Sequence, residues 1–509
     1  MIDDTVPHII DSIMTDWNAK HPFDSHVQFD GGSLDCGNGL LLLIRKHIDP
    51  LRPGQFLEVR STDATVEDDL PSWSRLTGNE LISRTRSGDV RSYLIRKAGS
   101  VTRPSMVSQP LAVLPQFDSQ FALKPLSVMG IGSWPRPAWL VTALHEWLAG
   151  RLPDETFQSY ADDAVRLSVA AQERAGVDVV SDGEQRRDNY ASFVGTRLDN
   201  CQLIPISDLL SYVDDPAKFA EELRSLDVPL EHVRHPAVFG RISRTQPLAG
   251  HELERLRRFT TKPIKIALPG PYLLTRTMWL ECVSDKAYPD RESLAQDIVL
   301  ALRQEAEYLL TNGAAIVQFD EPVLTEVVFA RKTAGRSFMC GTLGEKKPPE
   351  EELAFASELI RAVTESLPRH RVALHICRGN WSRDETLALT GPYTPLVPTL
   401  KSLPVGMFLL EMATPRAGEL EPLAELPELC RIGVGVVNQK LDRVETVAEI
   451  VAKAEAAISQ FGPERVLLNP DCGFATFADN PLASAEVAER KLAAIVQASR
   501  VLQNKYGVG

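Results

Sequence analysis

The stretch RVALHICRGN, residues 371–380, joins a short apolar run to a polar ending that carries His375 and Cys377. Strands that are apolar on both faces and alternate with helices indicate a parallel sheet. Helical segments such as YADDAVRLSVAAQERAG (160–176) and LAQDIVLALRQEAEYLLTNG (294–313) alternate with these runs. Further runs of the same form are LSVMGIGS (126–133), VDVVSDG (177–183), IKIALPG (264–270), AAIVQFDEP (314–322), GMFLLEMAT (406–414), CRIGVGVVN (430–438) and RVLLNPDCG (465–473). About eight βα units over residues 126–509 predict a (β/α)8 TIM barrel.

The chain in front of these units has a different pattern. The whole chain has 509 residues, too many for one ordinary core, so at least two domains are expected. Helix, strand, helix and a strand pair follow one another in GLLLLIRKHIDPL (39–51), QFLEVRST (55–62), TVEDDLPSWSRLTGN (65–79) and ELISRTRSGDVRSYLIRK (80–97). We therefore predict a small α/β sandwich domain in residues 1–98, a linker rich in Pro, Ser and Gln in residues 99–125, and the barrel in residues 126–509.

Composition limits the classes of partner. The formal charge is −13, which argues against nucleic acid or an anionic membrane as the main partner. No apolar run approaches the roughly 18 residues of a membrane helix, and the N-terminal stretch MIDDTVPHII lacks the features of a signal peptide. The seven cysteines are widely spaced and odd in number, as expected for reduced thiols in the cytoplasm.

Four side chains with metal-binding chemistry stand at the predicted carboxyl ends of strands, namely His375, Cys377, Glu411 and Cys472. A barrel places the carboxyl ends of its strands at one mouth, so these side chains are expected to meet there. Two thiolates, one imidazole and one carboxylate form a four-coordinate set suited to Zn²⁺. The spacing alone leaves another interpretation open, in which both cysteines are small buried apolar side chains and the histidine is a satisfied core residue.

From about residue 126 to the C-terminus, the chain resembles the catalytic barrel of the cobalamin-independent methionine synthase family, in particular its short, single-barrel members. The resemblance lies in GIGSWPRP (130–137), VVSDGEQRRD (179–188), LPGPYLL (268–274), VQFDEPVLTE (317–326), LHICRGN (374–380), LLEMATPR (409–416) and LNPDCGFAT (468–476). These motifs stand in the family's order, one at each strand end. The resemblance implies a catalytic zinc that binds the thiol of an acceptor, with the four strand-end residues as ligands.

The resemblance also implies the binding site of the acceptor, which is homocysteine in the family. The turn Ile131–Gly132–Ser133 would meet its carboxylate, and Glu184 and Asp320 would meet its ammonium. An alternative for the two acids is ion pairing with neighbouring arginines. Glu326 matches a family position near the folate donor.

Two departures from the family concern the methyl donor. Lys440 stands where the larger enzymes have a proton-donating histidine. It either supplies a charge or a proton there or is only a lysine of the barrel. The second, N-terminal barrel that helps the larger enzymes to hold folate has no counterpart in this sequence. The methyl donor therefore stays open among a folate, a protein that carries methylcobalamin and a small methylated compound.

The small N-terminal domain resembles the TusA-type sulfur carriers. Cys36 matches their cysteine at a helix N-terminus, where the helix dipole lowers the thiol pKa. The carriers continue with Cys-Pro-x-Pro, whereas this chain has Cys-Gly-Asn-Gly. Cys36 is thus either a sulfur carrier, served by a sulfur-donor protein, or an ordinary cysteine of a structural domain.

Three functions are compatible with these features. The leading one is a zinc-dependent thiol S-methyltransferase of the methionine synthase type. The second is a zinc-dependent enzyme that forms C–S bonds with sulfur relayed through Cys36. The third is a sulfur-relay module without catalytic activity.

Overall fold

The computed structural model describes residues 17–34, 40–48, 50–76, 79–97, 121–205, 234–279, 287–329 and 347–509. These residues divide into two compact units, one formed by described residues up to 97 and the other by those from 121 onward. Most of the predicted linker, and Cys36 with its surroundings, lie outside the described residues. No helix in the described ranges is long and apolar enough to cross a membrane.

The first unit is a four-stranded sheet with two helices. Its elements are β1 (Val27–Asp30), α1 (Leu41–Ile48), β2 (Phe56–Ser61), α2 (Val66–Leu76), β3 (Glu80–Ser87) and β4 (Val90–Arg96). The strand order is β1-β2-β4-β3, with β1 parallel to β2 and the other pairs antiparallel. Apolar residues of both helices and of the sheet, including Ile44, Leu70 and Tyr93, share one core.

The predicted elements of this unit are present, and β1 was not predicted. The strands β3 and β4 form the expected hairpin, in which Ser87 pairs with Val90. Gly88 in the turn has a φ of +63°, a conformation that glycine adopts without a steric penalty. β1 has only four residues and ends in Asp30, so it lacked the long apolar run that identified the other strands.

The second unit contains a parallel sheet flanked by helices. Its strands are β5 (Cys201–Pro205), β6 (Arg234–Val238), β7 (Lys265–Pro269), β8 (Ile316–Asp320), β9 (Val372–Ile376), β10 (Met407–Leu410), β11 (Arg431–Val437) and β12 (Val466–Pro470). Strands β7 to β12 form the sheet in chain order, all parallel. Because both of its faces are covered, nearly every residue of these strands is buried. This explains the continuous apolar runs in the sequence.

The helices of this unit are α3 (Ala138–Leu148), α4 (Asp154–Ala175), α5 (Gly250–Leu256), α6 (Pro271–Met278), α7 (Arg291–Thr311), α8 (Val323–Phe329), α9 (Pro349–Thr364), α10 (Val397–Ser402), α11 (Val447–Phe461) and α12 (Ala485–Tyr506). Their ends carry recognisable signals. Thr446 and Glu449 form a capping box at the start of α11, and Gly176 ends α4 in the left-handed conformation. The long helical segments predicted at 160–176 and 294–313 correspond to α4 and α7.

The first two predicted strands of this unit are reduced to short bridges. Val128 bridges to Leu468 of β12, Met129 bridges to Val179, and Val180 bridges to Ile264, which precedes β7, all in parallel orientation. The carboxylate of Asp178 accepts the backbone N–H of Val128 at 2.7 Å. This contact joins the two bridge segments in addition to their backbone pairing. The antiparallel pair β5–β6 was not predicted.

Candidate metal centre and substrate pocket

Three side chains at strand ends form a compact cluster. The ligand atoms of His375, Cys377 and Cys472 lie within 4.8 Å of one another, and all three residues are buried. His375 belongs to β9, Cys377 directly follows that strand, and Cys472 follows β12 by two residues. Within the described ranges, no other group of three or more His, Cys, Asp or Glu side chains has metal-binding spacing. The donor set of one imidazole and two thiols is of the kind that binds zinc.

The imidazole is oriented by a backbone contact. Nδ1 of His375 donates to the carbonyl oxygen of Leu409 at 3.0 Å, which leaves Nε2 as the ring atom with a free lone pair. Nε2 is buried and has no hydrogen-bond partner among the described residues. A histidine that ligates a metal usually has its other ring nitrogen hydrogen-bonded in this way. This orphaned nitrogen beside two thiols fits a metal ion.

The two thiols differ in their protonation. The pKa of Cys377 is well below its usual value, chiefly because the Cys472 thiol donates a hydrogen bond to it and also because the His375 imidazole lies nearby. The same hydrogen bond raises the pKa of Cys472, because donating it to the Cys377 sulfur holds the proton on the Cys472 thiol. One thiolate is thus already favoured at this position, and a cation would favour the second.

Glu411 lies beside this cluster but is not one of its three members. Its fully buried carboxylate is held on both oxygens: Oε2 accepts from the backbone N–H of Arg378 at 2.7 Å and from Nδ2 of Asn380 at 2.6 Å, and Oε1 lies 2.6 Å from Nη2 of Arg416. Asn380 and Arg416 were not predicted as site residues, although both stand inside the motifs LHICRGN and LLEMATPR. A carboxylate already neutralised by a guanidinium is a weak metal ligand.

A cavity of about 450 Å³ opens over the cluster. Its lining includes Ile131, Ser133, Glu184 and Asp320, which the sequence analysis assigned to the acceptor, together with the three cluster residues. Tyr190, Asn380, Trp381 and Thr476 also line it and had not been predicted as site residues. The structure therefore brings the predicted acceptor residues and the cluster to the same pocket.

The two acids of the pocket are buried carboxyl groups. Burial raises the pKa of Asp320 to about 7, and it raises the pKa of Glu184 as well. Oε2 of Glu184 has no hydrogen-bond partner among the described residues. Paired buried acids with raised pKa values favour a cationic ligand, because a positive charge between them offsets the cost of their ionisation. Among the described residues, the neighbouring Arg186 and Arg187 form their ion pairs with Asp162 and Glu252, and not with Glu184 or Asp320.

Glu184 is held in a strained conformation against a glycine. Its φ is +55°, which is rare for a residue with a side chain. A Cβ atom at Gly132 would lie 2.2 Å from Oε1 of Glu184, so the glycine permits this close approach. Arg136 fixes the same loop, because Nη2 donates to the carbonyl oxygen of Glu184 at 2.7 Å and Nη1 donates to that of Ala475 at 3.1 Å. Arg136 thus connects the loop of Glu184 with the loop that follows Cys472.

The remaining predicted residues lie elsewhere. Glu326 is in α8, 4.0 Å from Arg276, and is not part of the pocket lining. Lys440 is buried three residues after β11, and its Nζ has no hydrogen-bond partner among the described residues. Burial lowers the pKa of Lys440, and the nearby Arg416 lowers it further, whereas Glu385 and Glu411 raise it. Cys36 is outside the described residues.

Known proteins share this architecture. Residues 126–500 match the family model of the cobalamin-independent synthase catalytic domain. A methionine synthase of Sulfurisphaera tokodaii is 27% identical over 379 residues, covering 74% of this chain and 92% of that protein. A methionine synthase of Pyrococcus abyssi is 26% identical over 387 residues, covering 76% and 95%.

A solved structure shares the fold. The structure of a B12-independent methionine synthase of a Shewanella species in complex with selenomethionine superposes with a TM-score of 0.57 at 24% identity, covering 75% of this chain and 99% of that one. The match to the family model spans well over half of the chain. The chain belongs to the cobalamin-independent methionine synthase family and is a methyltransferase of that type.

Proposed function

We propose that this protein is a zinc-dependent S-methyltransferase that transfers a methyl group to the thiol of homocysteine or of a close analogue. The observation that carries the proposal is the buried cluster of His375, Cys377 and Cys472 beneath a pocket that contains two buried acids. Zinc held by these residues would supply a Lewis acid that keeps the acceptor thiol deprotonated near neutral pH.

The residues of the pocket would bind and orient the acceptor. Glu184 and Asp320 would hold its ammonium group, and the turn at Ile131–Ser133 would meet its carboxylate. Recognition at the amino-acid end directs the thiol towards the cluster. The buried walls exclude water, which strengthens the contacts between the ammonium and the two acids.

Glu411 would be the exchangeable member of the ligand set. Its carboxylate is held at 2.6 Å by both Asn380 and Arg416, so it has stable partners when it does not bind a metal. A ligand of this kind can give way to an incoming thiol at a small energetic cost. Lys440, with its lowered pKa and its position near Glu385 and Glu411, would supply a charge or a proton close to this group.

We further infer that the sheet closes into an eight-stranded (β/α)8 barrel. The bridges of Val128, Met129, Val179 and Val180 connect β12 back to the segment before β7. One buried apolar cluster draws on both bridge segments and on strands β8, β9, β10 and β12, as an interior shared by a closed barrel would. The assignment of the first unit as a TusA-like sulfur carrier with Cys36 as its cysteine stays a prediction. The domain boundaries at 98 and 125 stay predictions as well.

The first experiment measures both the metal and the product. Zinc content is determined on the purified protein, and methionine is then sought by mass spectrometry after incubation with homocysteine. Methyltetrahydrofolate, methylcobalamin and S-methylmethionine are supplied separately as representatives of the three donor classes. We expect about one zinc per chain and methionine from one of the donors. Zinc-loaded, folded protein that yields no methionine from any donor would contradict the proposal.

A further inference from the structure

The arginine that holds Glu411 is shared with a second carboxylate, that of Glu385. Nη2 of Arg416 lies 2.6 Å from Oε1 of Glu411 and 2.9 Å from Oε2 of Glu385, and Nε of Arg416 donates to the same Oε2 at 3.1 Å. The side chain of Glu411 is fully buried, that of Arg416 is 12% exposed and that of Glu385 is 35% exposed. Glu385 neither lines the pocket nor belongs to the cluster of His and Cys side chains. Arg416 thus connects the buried Glu411 with a carboxylate closer to the surface.

Glu385 also has a partner on its other oxygen. It begins a short 3-10 turn, Glu385–Leu387, in the segment that follows β9. Nδ2 of Asn438, the residue directly after β11, donates to Oε1 of Glu385. Oδ1 of Asn438 in turn accepts the backbone N–H of Lys440 at 2.9 Å. The position of Glu385 therefore does not depend on Arg416 alone.

A second cation lies near the same two carboxylates. Lys440 is buried, and its Nζ has no hydrogen-bond partner among the described residues. Burial lowers the pKa of Lys440, whereas the negative charges of Glu385 and Glu411 raise it, so both carboxylates act on this ammonium. A third carboxyl group, that of Asp471, accepts two backbone N–H groups at 2.8 and 2.7 Å and forms no ion pair with Arg416 or Lys440 within the described ranges. Glu385 is thus a counter-charge for both cations beside Glu411.

This arrangement affects how easily Glu411 can leave Arg416. A buried cation that loses its counter-charge is costly, because its charge is then left uncompensated in a poorly solvated place. While Glu385 is ionised, Arg416 keeps one carboxylate partner when Glu411 moves away. With glutamine at position 385, the amide oxygen could still accept from Arg416, but the charge would be gone. Glu411 would then be the closest counter-charge of Arg416 and would be held there more firmly.

We propose that Glu385 is a positioning residue that sets how readily Glu411 exchanges between Arg416 and the metal. This inference rests on the proposed function, in which Glu411 is the exchangeable member of the ligand set. Glu385 acts through Arg416 and touches neither the metal nor the acceptor. Its charge lowers the cost of releasing Glu411 from the guanidinium, so it favours binding of Glu411 to the metal when no thiol is present.

The rate of zinc release from the full-length, zinc-loaded protein to the chromogenic chelator pyridylazoresorcinol tests the proposal. Without homocysteine, Glu385→Gln should release zinc about threefold faster than the unaltered protein, because Glu411 stays with Arg416 and binds the metal less. With saturating homocysteine, whose thiol takes the place of Glu411, the two proteins should release zinc at the same rate. Equal rates without homocysteine, or slower release from the variant, would overturn the proposal. Faster release by the same factor in both states would indicate a general loosening of the site and would overturn it as well.

Further variants separate the charge of Glu385 from other effects of its replacement. Glu385→Asp keeps the charge and should release zinc at nearly the rate of the unaltered protein. Glu425→Gln is the matched control, because it removes the charge of an exposed glutamate that pairs with Lys401 at 2.9 Å. Its release rate should not change. In a Glu411→Gln background, the added Glu385→Gln should have little effect, and an undiminished effect there would show that Glu385 does not act through Glu411.

The outcome can be told apart from that of the proposed function. Zinc release requires no methyl transfer, so a zinc-loaded protein that makes no methionine contradicts the proposed function, whereas the release rates decide the role of Glu385. A folded protein that binds no zinc would contradict both.

Discussion

The side-chain amide of Gln318 donates from Nε2 to Oδ1 of Asp320 at 2.7 Å. Its other end, Oε1, accepts from Nζ of Lys265 at 2.5 Å, and the same Nζ donates to the carbonyl oxygen of Gly130 at 2.5 Å. When Lys265 is protonated it can only donate, so Oε1 of Gln318 faces Nζ and Nε2 faces Asp320. Lys265 and Gln318 thus connect the acid Asp320 with the segment that precedes the Ile131–Ser133 turn.

Gln318→Leu should weaken recognition of the ammonium group of the acceptor. Without the amide, the carboxylate of Asp320 loses the donor that orients it, and hydrogen bonds to charged groups contribute roughly 1.5–3 kcal/mol. We expect kcat/KM for homocysteine to fall about tenfold or more. The comparison substrate is 4-mercaptobutyrate, which lacks the ammonium, and its kcat/KM should change little. An equal loss for both thiols would indicate general damage to the fold instead.

Gly132→Ala should impair catalysis with little loss of stability. The added Cβ would lie 2.2 Å from Oε1 of Glu184, and the end of this side chain can move aside more easily than backbone. The carboxylate would leave its place in the pocket, so KM for homocysteine should rise at least tenfold. Gly130→Ala is the matched control, because a Cβ there meets nothing within 4 Å. Similar kinetics for the two variants would contradict the role given to this close approach.

The cluster residues should differ from Glu411 in their importance for metal content. We expect Cys472→Ala to lose most of its zinc, since it removes one of the three ligand atoms that lie close together in the described part of the chain. Glu411→Gln should keep most of its zinc but lose activity, because the carboxylate is also held by Asn380 and Arg416. Zinc per chain is measured by inductively coupled plasma mass spectrometry. Cys201→Ala serves as the control, because Cys201 lies in β5, away from the cluster. Full zinc content in Cys472→Ala would show that the ligand assignment is wrong.

Lys265 should make stability depend on pH. Burial lowers its pKa to about 7, whereas an unfolded lysine has a pKa near 10.4. Between these values the unfolded chain binds one more proton than the folded one, so the stability contribution of this group rises with pH, by up to about 1.4 kcal/mol per unit. The free energy of unfolding of the unaltered protein and of Lys265→Met is measured with urea from pH 7 to 10. The unaltered protein should gain stability relative to the variant as pH rises. A stability difference that does not vary with pH would show that folding does not lower the pKa of Lys265.

Much of the second unit follows from local sequence pattern. The strands β7 to β12 were predicted because their residues are apolar on both faces, and a strand that is buried on both faces requires such a run. His375, Cys377 and Cys472 could be expected to meet because parallel strands bring their carboxyl ends to one edge of a sheet. These inferences need only the order of residues along each segment and the rule that parallel strands end together.

Other features depend on contacts between residues far apart in the chain. The backbone N–H of Val128 donates to the carboxylate of Asp178, fifty residues later in the chain. The closeness of Gly132 to Glu184, and the partners of Glu411, arise from loops of different strands meeting at one edge. The sequence by itself thus determined the buried parallel strands β7 to β12 and which side chains stand at their ends. The tertiary structure alone decided which of these side chains touch, because hydrogen bonds and close approaches between loops depend on distances that no local pattern specifies.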